Sequence, residues 1–398
     1  MNRDGLMSFL SSLVVLAVGL LIGYLILLLS NPGAATSAFA TILTFGFSSM
    51  RSVGDVLLDA TPIIMTGLSV AFAFKTGLFN IGAAGQFAFG GLTAILIGHN
   101  FTGMPGGFRI VLMLLGAIVA GALWGAIPGL LKAYRNVHEV ISCIMNNYIG
   151  MYLVTFLIQR YAFTQEVGRS TTLPASSTLP TMGFDRIFRS EIVPGWFATS
   201  HVNIGIIIAI VMAILIYIVL EKTTFGYELK ACGFNKDAAK YAGINQNRNI
   251  VASMMISGGL AGLGGALLYM SGPTTMSAVN ALLPYGFTGI SVAFLGLSNP
   301  IGIIFSGTLV SYLFRGGAET QVLGFSIHIV EIVISVIIYF CAFVSLVKGF
   351  LGKHIFGFFW RVPVALEDAP MPNEPLDDDA PIDDSPSIFE ENNGGEQS

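Results

Sequence analysis

The stretch NIVASMMISGGLAGLGGALLYMSGPTTMSAVNALLPYGFTGISVAFLGLSNPIGIIFSGTLVSYLF, residues 249–314, runs for 66 residues without one Asp, Glu, Lys or Arg. A helix needs roughly 20 apolar residues to cross a hydrocarbon core, so this stretch holds more than two crossings. Pro273, Pro284 and Pro300 punctuate it. Proline interrupts helices, which divides the stretch into spans near 250–271, 285–298 and 300–315, the middle one short. Other uncharged gaps lie at 60–74, 76–108, 110–131, 140–159 and 192–220. They place crossings near 55–75, 82–99, 110–131, 138–159 and 202–220. A first span over Phe9–Leu29 and a last one near 327–347 bring the total to about ten.

The composition agrees, with 54% hydrophobic and 11% charged residues. Soluble domains carry about 25% charged residues, so a soluble globular protein is excluded. The expected fold is an all-α membrane protein, a polytopic bundle of about ten transmembrane helices. Its segments near 82–99 and 285–298 are short and glycine-rich, as half-helices or re-entrant segments are. The apolar run of Phe9–Leu29 exceeds the 7–15 residues of a signal-peptide core, which favours a retained span over cleavage in the small residues Asn31–Ala40.

Ten crossings return both termini to one side. With the N-terminus inside, twelve of the 19 Lys and Arg residues fall on inner segments and seven on outer ones. Cytoplasmic segments carry the basic excess, so this bias supports N-in and C-in. The 160–200 loop is then extracellular and the 221–249 loop cytoplasmic, within a membrane domain over 1–350. After Arg361 the chain has eleven acidic residues, six prolines and no basic residue. Such a segment buries too little apolar surface to order itself, so 351–398 is expected to be a disordered cytoplasmic tail.

Soluble catalytic signatures are missing: there is no GxxxxGK[ST], HExxH or GxSxG string, and the three cysteines form no metal-ligand spacing. The chain is therefore expected to be no enzyme and to carry no metal or cofactor. Nothing in it points to a nucleic-acid partner. ATP-driven work would need a separate subunit.

Polar residues inside membrane spans mark candidate sites. Lys75-Thr-Gly-Leu-Phe-Asn-Ile-Gly-Ala-Ala-Gly-Gln86 is a glycine-rich break between two apolar runs. Asn80 and Gln86 each offer a donor and an acceptor for a neutral polar solute, or else they cap and satisfy a turn. Glu139, Ser142, Cys143, Asn146 and Gly150 share one helical face, with Asn147 at its margin. Glu139 stands at a helix start, where its charge favours the terminus, while Asn146 lies deeper. In the last span His328, Glu331 and Ser335 form a second stripe; pairing of Glu331 with His328 or Arg315 is its structural alternative. Ser257, Ala261 and Gly265 run beside Gly258, Gly262 and Ala266 as two small-residue ridges expected to serve packing. Within 221–249, Asn235 caps a short helix that starts at Lys236 and Gly243 ends it. That stub serves either to dock another protein or to rest its lysines on lipid headgroups.

Four strings carry a resemblance. Gly77-Leu-Phe-Asn-Ile-Gly-Ala-Ala-Gly-Gln86, Val137-His-Glu-Val-Ile-Ser-Cys-Ile-Met-Asn-Asn-Tyr148, the loop from Thr224 to Asn235 with Ala238, Ala239, Gly243 and Ile244, and Tyr285-Gly-Phe-Thr-Gly-Ile-Ser-Val-Ala-Phe-Leu-Gly296 follow one another in order. Over roughly 55–350 they resemble the integral membrane permeases of bacterial ABC importers in the ribose and branched-chain amino acid group, the nucleoside branch above all. One departure is Ala84, where that family usually has a glutamate.

The resemblance implies a multi-pass permease of the bacterial cytoplasmic membrane that moves nucleosides inward by alternating access. Asn80, Gln86, Asn146, Asn147, Glu331 and His328 are its candidate path residues. Glu228, Gly233, Asn235, Ala238, Ala239 and Gly243 would seat on an ATP-binding subunit that holds ATP and Mg. A second, homologous permease chain, giving a heterodimer, and a substrate-binding lipoprotein are further implied partners. The rivals are ribose-like sugars or branched-chain amino acids as cargo, and an ion-coupled secondary transporter with Glu139 or Glu331 as the proton site.

Overall fold

A computed structural model describes residues 3–164, 168–193, 196–272, 274–341 and 343. The expected tail over 351–398 and the end of the last span, 344–347, lie outside the described residues. The first half of the chain is helical: α1 (Arg3–Ser30), α2 (Ala35–Thr44), α3 (Met50–Lys75), α4 (Ala83–Asn100), α5 (Gly106–Arg135) and α6 (Glu139–Tyr161). Two antiparallel hairpins follow, β1 (Phe163–Thr164) with β2 (Arg169–Ser170) and β3 (Arg189–Val193) with β4 (Trp196–Thr199), separated by α7 (Phe184–Ile187). The second half holds α8 (Gly205–Lys222), α9 (Thr224–Phe234), α10 (Lys236–Tyr241), α11 (Gln246–Tyr269), α12 (Tyr285–Leu295), α13 (Pro300–Glu319) and α14 (Ile327–Cys341).

Among the described residues, six helices are long and apolar enough to cross a membrane: α3, α5, α6, α8, α11, and α13 with the turn after it. The helix α4 has 18 residues, about 27 Å at 1.5 Å per residue, close to a full crossing. By contrast α12 has 11 residues, about 16 Å, roughly half of a hydrocarbon core. It ends three residues before the expected boundary because Leu297 and Ser298 take left-handed backbone angles, φ 55° and 52°, which close a turn ahead of Pro300. Two features differ from the sequence reading. The small residues after the first span build α2, whose Ile42 backbone packs against Gly316 of α13. The 160–200 loop carries two hairpins, and Ser200 Oγ donates to Asp55 Oδ1 at 2.7 Å to fasten it to α3.

The centre of the bundle is α11, which lies against α3, α4 and α5. Its small-residue ridges do the packing expected of them. A Cβ on Gly262 would stand 2.4 Å from the Ala117 carbonyl oxygen of α5, and one on Gly265 would stand 2.1 Å from the Phe87 carbonyl oxygen of α4. Lipid supplies no hydrophobic drive between helices, so such backbone approaches replace it with dispersion contacts. Gly262→Val is expected to cost about 3 kcal/mol or more, roughly 6–12 °C in Tm. Thermal unfolding of the purified chain in detergent checks this, and an unchanged Tm would refute the packing argument.

Candidate functional site

The helix α3 ends at Lys75, with Gly77 in the left-handed region at φ 72°, and residues 76–82 run non-helically before α4 starts at Ala83. Backbone freed within a membrane domain has to find partners inside the protein. Asn147 supplies two, accepting from the Gly85 amide at 2.9 Å and donating to the Ile81 carbonyl at 2.9 Å. The fully buried amides of Asn80 and Gln86 pair with each other, Asn80 Nδ2 donating to Gln86 Oε1 at 2.8 Å and Gln86 Nε2 returning to Asn80 Oδ1 at 3.2 Å. Asn80 Nδ2 also donates to Ser257 Oγ at 2.7 Å, and Ser257 Oγ donates to the Ser69 carbonyl at 2.7 Å. Asn146 donates to the Trp124 carbonyl at 3.1 Å.

The structure therefore spends the hydrogen bonds of Asn80, Gln86 and Asn147 on holding the break, while Asn146, the neighbour of Asn147 on α6, bonds α5 instead. Ser257 belongs to this network as well as to the packing ridge. A serine among glycines reads in sequence as one more small residue, and its spacing from Asn80 gives no hint of contact. Beside the network, Asn147, Gly85, Thr155 and Ser277 line a cavity of about 30 Å³, room for a water molecule or two.

His328 and Glu331 lie elsewhere. His328 Nδ1 and Glu331 Oε2 are 3.5 Å apart, with side chains 82% and 58% exposed. Arg315, the alternative partner for Glu331, instead meets Asp55 at 2.9 Å and Asp59 at 3.5 Å. Glu139 pairs with Lys132 at 2.9 Å, and His138 caps α6 by accepting from the Val140 amide. Glu139, the first residue of α6, is thus tied to α5.

The stub forms as expected and has a helix before it. Asn235 Oδ1 accepts from the amides of Asp237 and Ala238 at 3.0 Å each, which starts α10, and Gly243 at φ 81° follows its end. Immediately before it, α9 carries Glu228, whose Oε2 accepts from Asn249 Nδ2 of α11 at 3.1 Å, and Gly233. A Cβ on Gly233 would stand 2.5 Å from the Lys75 carbonyl oxygen, so α9 touches the break backbone to backbone. Ala238 is exposed on α10 and Ala239 is buried.

Comparison with known proteins adds relatives to this geometry. The family described as branched-chain amino acid transport system / permease component matches residues 52–342. The guanosine ABC transporter permease protein NupP of Bacillus subtilis is 36% identical over 86% of this chain and 95% of its own. The nucleoside ABC transporter permease protein NupB of Lactococcus lactis is 35% identical over 86% and 92%. The glucose ABC transporter permease protein TsgB13 of Haloferax volcanii is 30% identical over 76% and 79%. No solved structure matches the chain.

Proposed function

Because the chain belongs to the branched-chain amino acid transport system / permease component family, we propose that it carries nucleosides into a bacterial cell as the membrane subunit of an ABC importer. It is a multi-pass permease subunit and not itself an enzyme. The observation that carries the nucleoside reading is the 36% identity to a guanosine permease over 95% of that protein's length. ATP and Mg are held by a separate ATP-binding subunit, a lipoprotein delivers substrate, and a second, homologous permease completes the membrane unit. In this reading the chain makes about ten crossings with both termini cytoplasmic. The 1–350 region is the permease domain, the 160–200 loop faces outward and 351–398 is an inner tail. Alternating access opens the bundle outward and then inward.

Uptake of labelled uridine by bacteria with and without this gene tests the reading, with excess adenosine, ribose and leucine as separate competitors. Uptake that depends on the gene and yields to adenosine alone is the expected result. A glucose permease among the relatives makes a sugar the second reading, and competition by ribose would favour it. Unchanged uridine uptake in a strain lacking other nucleoside transporters would overturn the nucleoside assignment.

A further inference from the structure

A groove of about 570 Å³ runs across α12 and α14, lined by Phe287, Thr288, Ser291, Phe294, Glu331 and Ser335. Small-molecule sites occupy roughly 300–1,000 Å³ and pair apolar walls with a few placed polar groups. Glu331 is the one carboxylate of α14, and it is 58% exposed. Glu331 is the fifth residue of α14 and its Oε2 lies 3.5 Å from His328 Nδ1; a carboxylate within a membrane helix faces water or protein. Ser335 repeats the polar choice one turn further along the same helix face, and Thr288 and Ser291 answer it from α12.

At its far end the groove meets aromatic rings. Phe294 packs edge-on against Phe74 with centroids 5.3 Å apart and lies 6.2 Å from Phe79. On the other side of Phe74 a second cleft of about 260 Å³ opens between Lys75, Lys230, Gly233 and Leu297. That cleft borders α9, so the rings separate a mainly apolar groove bearing Thr288, Ser291, Glu331 and Ser335 from the stub that would meet the ATP-binding subunit.

We infer that the α12–α14 groove is this chain's half of the substrate route, with Phe74 and Phe294 as its inner constriction. The chemistry matches a nucleoside: phenylalanine faces stack a base, which is sequence-tolerant and worth about 1–3 kcal/mol per base, while a carboxylate and hydroxyls hydrogen-bond ribose. This assignment rests on the importer reading and deepens it, moving the substrate contacts from the Asn80 network to α12 and α14.

The test uses the assembled transporter with its binding protein, after uridine uptake by the parent chain has been measured. Absent parental uptake bears on the importer reading; the groove is judged by cysteine accessibility. Ser291→Cys, Ser335→Cys and, on the exposed outer face of α5, Leu115→Cys meet a charged, membrane-impermeant methanethiosulfonate added outside. Modification of the two groove cysteines is expected to run at least roughly tenfold faster than at Leu115, because a charged reagent reaches only water-lined positions. Uridine with ATP should slow it, and modification should lower uptake. Equally slow reaction at all three positions, or fast reaction without substrate protection, would overturn the route. If Ser291→Cys fails to reach the membrane, Thr288→Cys takes its place. For the constriction, Phe294→Ala should expose Leu297→Cys to the outside reagent, and unchanged accessibility would overturn the gate.

Discussion

Phe234→Ala combined with Tyr241→Ala is expected to lower nucleoside uptake about 100-fold or more and to release the ATP-binding subunit from the membrane complex. Phe234 ends α9 and Tyr241 ends α10, and they are 91% and 95% exposed. Two large rings held out on short, capped helices are poor neighbours for water, and exposed aromatic side chains of this kind anchor protein interfaces. Each anchor is worth about 2 kcal/mol or more in an interface, and about 1.4 kcal/mol is a factor of ten in affinity. The helices beneath should persist, because their order comes from other contacts: the Asn235 cap, the Glu228 bond to Asn249, and the Lys230–Glu221 ion pair at 3.0 Å. Affinity purification through the ATP-binding subunit reads out the first effect and labelled-uridine uptake the second, at equal membrane levels of the chain. If both survive, the stub rests on lipid headgroups through its lysines, and the coupling assignment of α9 and α10 fails.

The same region separates what local sequence discloses from what packing alone decides. Asn235 and Gly243 give away α10 because a cap side chain and a left-handed glycine act locally, within three residues of the groups they satisfy. The turn at Gly77 reads for the same reason. The preceding helix α9 reads less clearly: Thr223 caps it, but Thr224–Phe234 has no strong apolar period and leans on contacts with α3, α8, α10 and α11. The candidate site divides along this line. Sequence finds the polar residues of the break and of α6, because amides are conspicuous among aliphatic neighbours. It does not tell that Asn80 meets Ser257, 177 positions away, and so it cannot distinguish an amide offered to a solute from one spent on the fold. Glu331 stands out as a lone carboxylate, whereas Phe74, Phe287 and Phe294 stay hidden: in a chain with 30 phenylalanines, a ring that lines a route looks like any ring that faces lipid. The length of α12 is legible as shortness, but its end depends on two residues in left-handed conformations that carry no glycine signal.

Gly233→Val is expected to abolish uptake, about 100-fold or more, while the chain remains in the membrane. A glycine here is required by a close approach: a Cβ at 233 would lie 2.5 Å from the Lys75 carbonyl oxygen, and one on Gly77 would lie 3.2 Å from the Gly233 Cα. Real Cβ atoms do not tolerate the first distance, and both partners are backbone, so a branched side chain has to lever α9 off the break. On its other side the break is tied to α11 by Thr76 and Ser253 at 2.8 Å and by Asn80 and Ser257 at 2.7 Å, and to α6 through Asn147. Force applied to α9 by an ATP-binding subunit would therefore reach the break through Gly233 and Gly77, alongside the Glu228 bond to Asn249 of α11. The substitution removes neither outward ring, Phe234 or Tyr241, which predicts a specific pattern. The ATP-binding subunit should still copurify, and ATP hydrolysis should continue at its basal rate, yet substrate-loaded binding protein should no longer stimulate it. Gly233→Ala, a smaller wedge, should retain part of the uptake. Loss of the chain from the membrane would mark Gly233 as a folding contact instead, and uptake at the parental level would remove the backbone contact from the transmission of force altogether.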